Sequence, residues 1–239
     1  MILDERKADI LDFIVRDYIK RGEPVASGRV YENAIIDAAP ATIRNIMCEL
    51  DESGFLEQLH ISGGRIPTDK AYRYFVDSLM DVKTPRRRDQ EAFEEMARST
   101  RSLHDINYQM GKVISEATNL FTIIASFGGK KHLDYYGAEG LLAEPEFDNR
   151  QILRDFARLI DGAYEAADVY RQEMNEAEEV FIGKENPVRE VENFSVLSAR
   201  WQDGDGETVM LAVGPKRMDY EYGYSVIRYF LADNQKHHG

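Results

Sequence analysis

The sequence predicts an α+β chain, and three stretches carry the prediction. Residues 39–67, APATIRNIMCELDESGFLEQLHISGGRIP, read as a helix that opens on proline and runs into a short glycine-tipped hairpin. Strand-like runs crowd the second half, where two of them flank Gly204-Asp205-Gly206, a strong turn signal. Between these regions an apolar stripe at helical spacing, Leu103, Ile106, Met110, Val113, Ile114, Ala117 and Leu120, predicts a connector helix. The expected organisation is a winged helix-turn-helix domain over 1–82, a helical connector over 83–120, and an antiparallel sheet carrying helices over 121–239.

In chain order, Ile10, Leu11, Ile14, Tyr18 and Ile19 form the stripe of a first helix that Gly22 and Pro24 end. Ser27 is suited to cap a second helix through about Ile36, and Pro40 stands in the first turn of a third, where a missing N–H costs nothing. That third helix places Ile43, Met47 and Leu50 on one face, and turns Thr42, Arg44, Asn45, Cys48 and Glu49 to other surroundings. Gly54 is its stop signal. Phe55 to His60 and Arg65 to Pro67 read as two strands joined by the ISGGR turn, with Pro67 confined to an edge, and Thr68 caps a fourth helix. Thr84 and Pro85 mark a further helix start, with a break near Ser99 to Ser102. Beyond the connector, strands are expected at 121–127, 132–136, 180–182, 194–201 and 208–213, helices around Ile152 to Ile160 and Glu165 to Glu179, and a last helix on Met218, Tyr222, Val226 and Tyr229.

Composition excludes several classes of function. The chain has 239 residues and a formal net charge of −13, so its mean field repels phosphate and any binding to nucleic acid must come from a local patch. Over residues 1–80 ten Lys and Arg stand against fourteen Asp and Glu, so the winged-helix part is itself acidic. No apolar run approaches the ~20 residues of a membrane span, and the mixed charges of MILDERKADI do not suit a signal peptide, so the expectation is cytoplasmic with no membrane partner. One cysteine and five scattered histidines give no zinc spacing, and neither a phosphate-binding loop nor GxSxG is present. No enzyme, metal or cofactor is expected.

The third helix is the candidate reader. Arginine and asparagine pair bidentately with guanine and adenine, and Thr42, Arg44 and Asn45 lie near the N-terminus of a helix of the kind that enters the major groove. In the wing, Ser62, Gly63, Gly64 and Arg65 suit a close approach to phosphate, with Arg29 gathered on the same side. The other reading leaves Arg44 and Asn45 as a solvated face of a protein-binding module. Cys48 is either an oxidation switch or a space-filling side chain, Arg86 to Arg88 a solvated run, and Trp201 and Tyr136 pocket lining or packing.

LDERKADILDFIVRDYIKRGEPVAS, PATIRN, the run from Gly54 to Gln58, GRIPTDKAYRYFVDSLM, EPEF, IGKEN and GPKRMDY together resemble the HrcA family of bacterial heat-inducible transcription repressors. The resemblance implies an N-terminal winged helix and a GAF-like C-terminal domain. It further implies a homodimer on an inverted-repeat operator in double-stranded DNA, upstream of chaperone genes, with activity tuned by a GroE-type chaperonin. Against the family's usual pattern, Ile46 replaces a glutamate, Ala39 stands where a capping serine is common, and ISGGR replaces TSAGR. Only GGKKHLDYYGAEGLLA lies where the family has further strands and an inserted dimerisation domain, so the GAF-like part is reduced. Dimerisation is then expected on the connector stripe of Leu103, Ile106, Met110 and Val113. An alternative is a one-component regulator whose GAF-like domain senses a small ligand.

Overall fold

In the computed structural model, which describes residues 3–33, 38–59, 63–99, 103–128, 131–203 and 206–238, the chain divides into two units, Met1–Asp81 and Val82–Gly239.

The first unit is built on α1 (Glu5–Arg21), which Asp4 caps by accepting the Lys7 N–H at 2.9 Å and Gly22 ends in the left-handed region. Its buried Ile10, Leu11, Ile14 and Val15 meet α2 (Ser27–Tyr31) and α3 (Pro40–Glu52). Two expectations change here. Helix α2 has five residues instead of reaching Ile36, and Ser27 is its first helical residue, not its cap; residues 34–37 lie outside the described part. Ala39 stands at the cap of α3 and makes no side-chain bond there, so the helix relies on Pro40 to fix its first turn.

Gly54, at φ 75°, lets the chain leave α3 and enter β1 (Leu56–Glu57). This strand pairs antiparallel with β2 (Ile66–Pro67). Both are shorter than the sequence pattern suggested, and the ladder is continued by Val25, whose N–H and carbonyl bond the carbonyl and N–H of Arg65 at 2.9 and 3.0 Å. Thr68 accepts the Ala71 N–H as cap of α4 (Asp69–Tyr74), and its hydroxyl donates to the Gly54 carbonyl at 2.7 Å. A π-helical turn over Phe75–Leu79 then brings Phe75 under the Arg16 guanidinium.

The second unit is a five-stranded antiparallel sheet between helices. Helices α5 (Arg87–Ser99) and α6 (Leu103–Thr118) precede β3 (Phe121–Phe127) and β4 (His132–Tyr136). Next come α7 (Ala138–Leu142), α8 (Arg150–Asp161), α9 (Ala163–Glu173) and β5 (Glu178–Ile182). The hairpin β6 (Phe194–Asp203) and β7 (Gly206–Pro215) leads into α10 (Tyr220–His238). Strand order is β4-β3-β7-β6-β5. Helix α5 begins two residues after Pro85, because the Gln90 amide donates to the Pro85 carbonyl at 2.6 Å and holds it outside the helix.

Alternation along the strands sends Phe121, Ile123, Val209, Leu211, Val213, Phe194 and Val196 into one core with Phe156, Leu159, Ala167 and Tyr170 of α8 and α9. On the opposite face lie Ile124, Met210, Ala212, Leu197 and Ala199, covered by α6 and α10. Two glycines allow that approach. A Cβ on Gly111 of α6 would meet the Tyr136 ring at 2.6 Å, and one on Gly223 of α10 would meet Leu197 at 2.5 Å. The connector expected over 83–120 therefore folds as part of the second unit.

Candidate nucleic-acid interface

Helix α3 separates its two faces cleanly. Ile43, Ile46, Met47 and Leu50 are buried, whereas Arg44, Asn45, Cys48 and Glu49 are exposed and Thr42 is half-buried. Ile46 is only 8% exposed. The family's glutamate position therefore carries a core side chain here, which removes Ile46 from any set of base contacts.

The candidate cations are not equally available. Arg44 is exposed, and its Nε donates to a neutral hydroxyl, the Ser27 Oγ, at 3.4 Å. Arg29 is tied to α1: its Nε lies 2.7 Å from Asp17 Oδ2, and Arg21 shares the same carboxylate at 3.1 Å. Lys7 reaches Glu49 of α3 at 2.9 Å, and this hydrogen-bonded carboxylate raises the lysine pKa. Lys70 donates to the Ser53 carbonyl at 2.7 Å and lies over the Phe55 ring.

Arg65 is the most constrained of these cations. Its Nε meets Asp51 Oδ2 at 3.0 Å, its Nη2 lies 3.4 Å from Cys48 Sγ, and its side chain is 17% exposed. Both contacts are with α3, so this side chain fastens the hairpin to that helix. Gly64 has a reason for its size other than approach to phosphate: a Cβ there would come within 2.7 Å of the Pro24 and Val25 backbone. Gly63 is exposed, and its carbonyl accepts from the Gln58 amide at 3.2 Å. Ser62 lies outside the described residues.

The sequence reading missed the carboxylates of this face. Asp17 and Asp51 pair with arginines 12 and 14 positions away, a separation at which no helical or strand spacing signals contact.

In the second unit the dimer expectation is corrected at Met110, which is fully buried between α6 and the sheet and has no surface left for a second copy. Val113 is half-buried; the side chains of Leu103 and Ile106 lie outside the described residues. Trp201 packs edge-on to Phe230, and Tyr136 packs close to Gly111, contacts of the packing kind. In the arginine run, Arg86 stacks on the Tyr222 ring at 4.4 Å, while the strongly exposed Arg87 and Arg88 pair with Glu91 and Asp89.

The motifs EPEF, IGKEN and GPKRMDY supply polar braces. Arg217 bonds Glu144 at 2.6 Å and Glu146 at 2.8 Å; burial penalises its charge, and the two carboxylates more than offset that and raise its pKa. Asn186, buried, donates to the carbonyls of Gly183, Val191 and Phe194 and accepts from the Tyr170 hydroxyl at 2.6 Å. A shallow surface groove of about 270 Å³ runs between α8, α9 and Val188, floored by Leu159, Ala166 and Val169. Among the described residues no group of three or more His, Cys, Asp and Glu is placed to hold a metal ion, and no helix is long and apolar enough to cross a membrane.

Comparison with known proteins adds an independent line. Residues 68–222 match the family model described as the HrcA protein C-terminal domain. The heat-inducible transcription repressor HrcA of Chlorobium chlorochromatii is 25% identical, with 95% of each chain covered. That alignment runs over 330 positions against 239 residues here, so it opens gaps in this chain. HrcA of Carboxydothermus hydrogenoformans is 40% identical over 126 residues, a match that covers 52% of this chain and 37% of that relative. A crystal structure of a hypothetical protein has the same fold over 98% of both chains, with a TM-score of 0.76 at 18% identity.

Proposed function

Because this chain belongs to the HrcA family, we propose that it is a heat-shock transcription repressor that reads an inverted-repeat operator as a homodimer, one α3 helix to each half-site. The observation that carries the reading is the division of α3: an apolar face spent in the core, and an opposite face on which Arg44 and Asn45 stand exposed, Arg44 having no carboxylate partner among the described residues. These are the side chains able to form bidentate contacts with guanine and adenine, each worth ~1–3 kcal/mol in discrimination. Thr42, at the entry of the helix, is placed for a backbone or base contact. Gly63, exposed at the hairpin, is read as a phosphate contact.

No enzyme activity is assigned. Regulation is read as chaperonin-dependent, as the family resemblance implies, and the relatives' names call them heat-inducible repressors. The ligand-sensing alternative is less well supported, because the sheet face under α8 and α9 is filled by packed rings, with Phe121 and Phe156 centroids at 4.9 Å and Phe147 and Phe156 at 5.3 Å.

The test is selection of genomic DNA fragments by the purified chain, with and without chaperonin, followed by quantitative binding of Arg44→Ala and Asn45→Ala. Enrichment of an inverted repeat near chaperone genes is expected, with a loss of about fivefold or more on Arg44→Ala, as a loss of ~1–3 kcal/mol gives. Recovery of random fragments, or an unchanged affinity in both variants, would sink the reading.

A further inference from the structure

We propose that Asp51 sets the specificity of the reading face by withholding Arg65 from phosphate. This rests on the reading of α3 and the wing as a DNA interface, and adds to it a residue that carries a negative charge and belongs to neither base nor backbone contacts.

Three observations meet at Arg65. Its backbone is committed on both sides to Val25, by bonds of 2.9 and 3.0 Å. Its Nε is held by Asp51 Oδ2 at 3.0 Å, and its Nη2 faces Cys48 Sγ at 3.4 Å, both on α3. The side chain retains 17% of its exposure, and that of Asp51 33%, so the pair is at the surface yet partly shielded from water. An arginine in a wing is ordinarily a phosphate ligand, drawn in by charge without regard to sequence. Here its charge is cancelled by a partner on the helix that reads sequence. A phosphate approaching the guanidinium meets a cation already paired, with the Asp51 carboxylate beside it to repel a polyanion.

The consequence is selectivity. Contacts to phosphate raise affinity for every duplex alike, whereas contacts from Arg44 and Asn45 raise it for one sequence. Cancelling Arg65 lowers the first kind and leaves the second untouched. The pair also fixes the wing against α3, so the wing enters the interface as a spacer of set position and not as an independent cationic arm.

The experiment titrates the full chain against a random-sequence duplex by fluorescence anisotropy over a range of salt concentrations, for the native chain, Asp51→Asn, Arg65→Gln and the double variant. Each phosphate contact adds about 0.9 to the slope of log affinity against log salt. Asp51→Asn is expected to steepen the slope by about 0.9 and to tighten binding roughly fivefold near 0.1 M salt. Arg65→Gln alone is expected to leave the slope within about 0.3 of the native value, and the double variant to restore it. An unchanged slope in Asp51→Asn, or a loss of about 0.9 in Arg65→Gln, overturns the inference while leaving DNA reading intact. Should Asp51→Asn fail to fold, the Arg65→Gln slope still decides. A chain that binds no duplex in any of the four forms overturns the inference and the DNA reading together.

Discussion

Replacing Asn186 should be among the most damaging single changes in the second unit, although it removes no apolar contact. The side chain is 6% exposed. Its Nδ2 donates to the carbonyls of Gly183, Phe194 and Val191 at 2.7, 3.0 and 3.2 Å, and its Oδ1 takes the Tyr170 hydroxyl at 2.6 Å. Asn186→Ala leaves the Val191 and Phe194 carbonyls and the Tyr170 hydroxyl short of a partner, while Gly183 keeps the bond from the backbone N–H of residue 186 at 3.2 Å. With each stranded buried group costing ~1–3 kcal/mol and some relaxation, the loss comes to about 3–5 kcal/mol. That is a large part of the ~5–15 kcal/mol that holds a domain folded.

The protein carries its own reporter for this change. Trp201 is the sole tryptophan and belongs to the second unit, so its fluorescence in urea follows that unit alone. At ~2 kcal/mol per M of urea the midpoint should fall by about 2 M. Asn186→Asp keeps the shape but offers the carbonyls no N–H, and should cost at least as much. An alanine variant within about 1 kcal/mol of the native chain would refute the reasoning, since it would mean that the carbonyls find other donors at little cost.

Arg217→Met should destabilise the same unit by about 2–3 kcal/mol in urea titrations, because it leaves the Glu144 and Glu146 carboxylates partly buried without their shared cation. Burial raises the Tyr170 phenol above its ordinary pKa near 10, so its stabilising contribution is complete below that pH and is lost as pH climbs above it, by up to ~1.4 kcal/mol per unit; Tyr170→Phe should flatten that part of the alkaline unfolding curve. Gly64→Ala should lower the melting temperature of the first unit by several degrees, an outcome read by circular dichroism, since its Cβ would press on backbone that cannot rotate away.

Much of the fold was legible because its signals are local. β3 and β4 fall at 121–127 and 132–136 as read, since a run of strand formers between turn residues needs no distant partner to be recognised. Thr68 caps α4 and Gly54 follows α3 for the same reason. The errors lie where a distant partner decides. Ser27 looks like a cap, but the bridge between Val25 and Arg65 draws the preceding residues toward the wing and the helix starts on Ser27 itself. Met110 and Ile114 of the α6 stripe look free for a partner protein, yet both are buried within their own unit, a packing recognisable once Gly111 is seen against Tyr136. At the candidate interface, residue types and faces were readable from periodicity, whereas the availability of each cation was not. Arg44 and Arg65 are alike as residue types, and the position of Asp51 beside Arg65 is one of the contacts that distinguish them.

That distinction bears on why a repressor of this kind would work in pairs. The first unit carries more carboxylates than cations, and Arg29, Arg65 and Lys7 already have carboxylate partners within 3.0 Å. Few phosphates can then be neutralised by one copy, and a single helix reading three or four bases yields modest affinity as well. Joining two copies raises affinity through effective concentration without adding a contact to either half-site. It does so only for duplexes that present both half-sites at the right spacing. With non-specific attraction held down by its own carboxylates, such a chain gains occupancy from pairing at the correct sites and little elsewhere. Weak reading by each copy and dependence on a second copy are thus two sides of one arrangement. With Met110 spent inside the second unit, the proposed pairing would have to use a surface outside the buried face of α6.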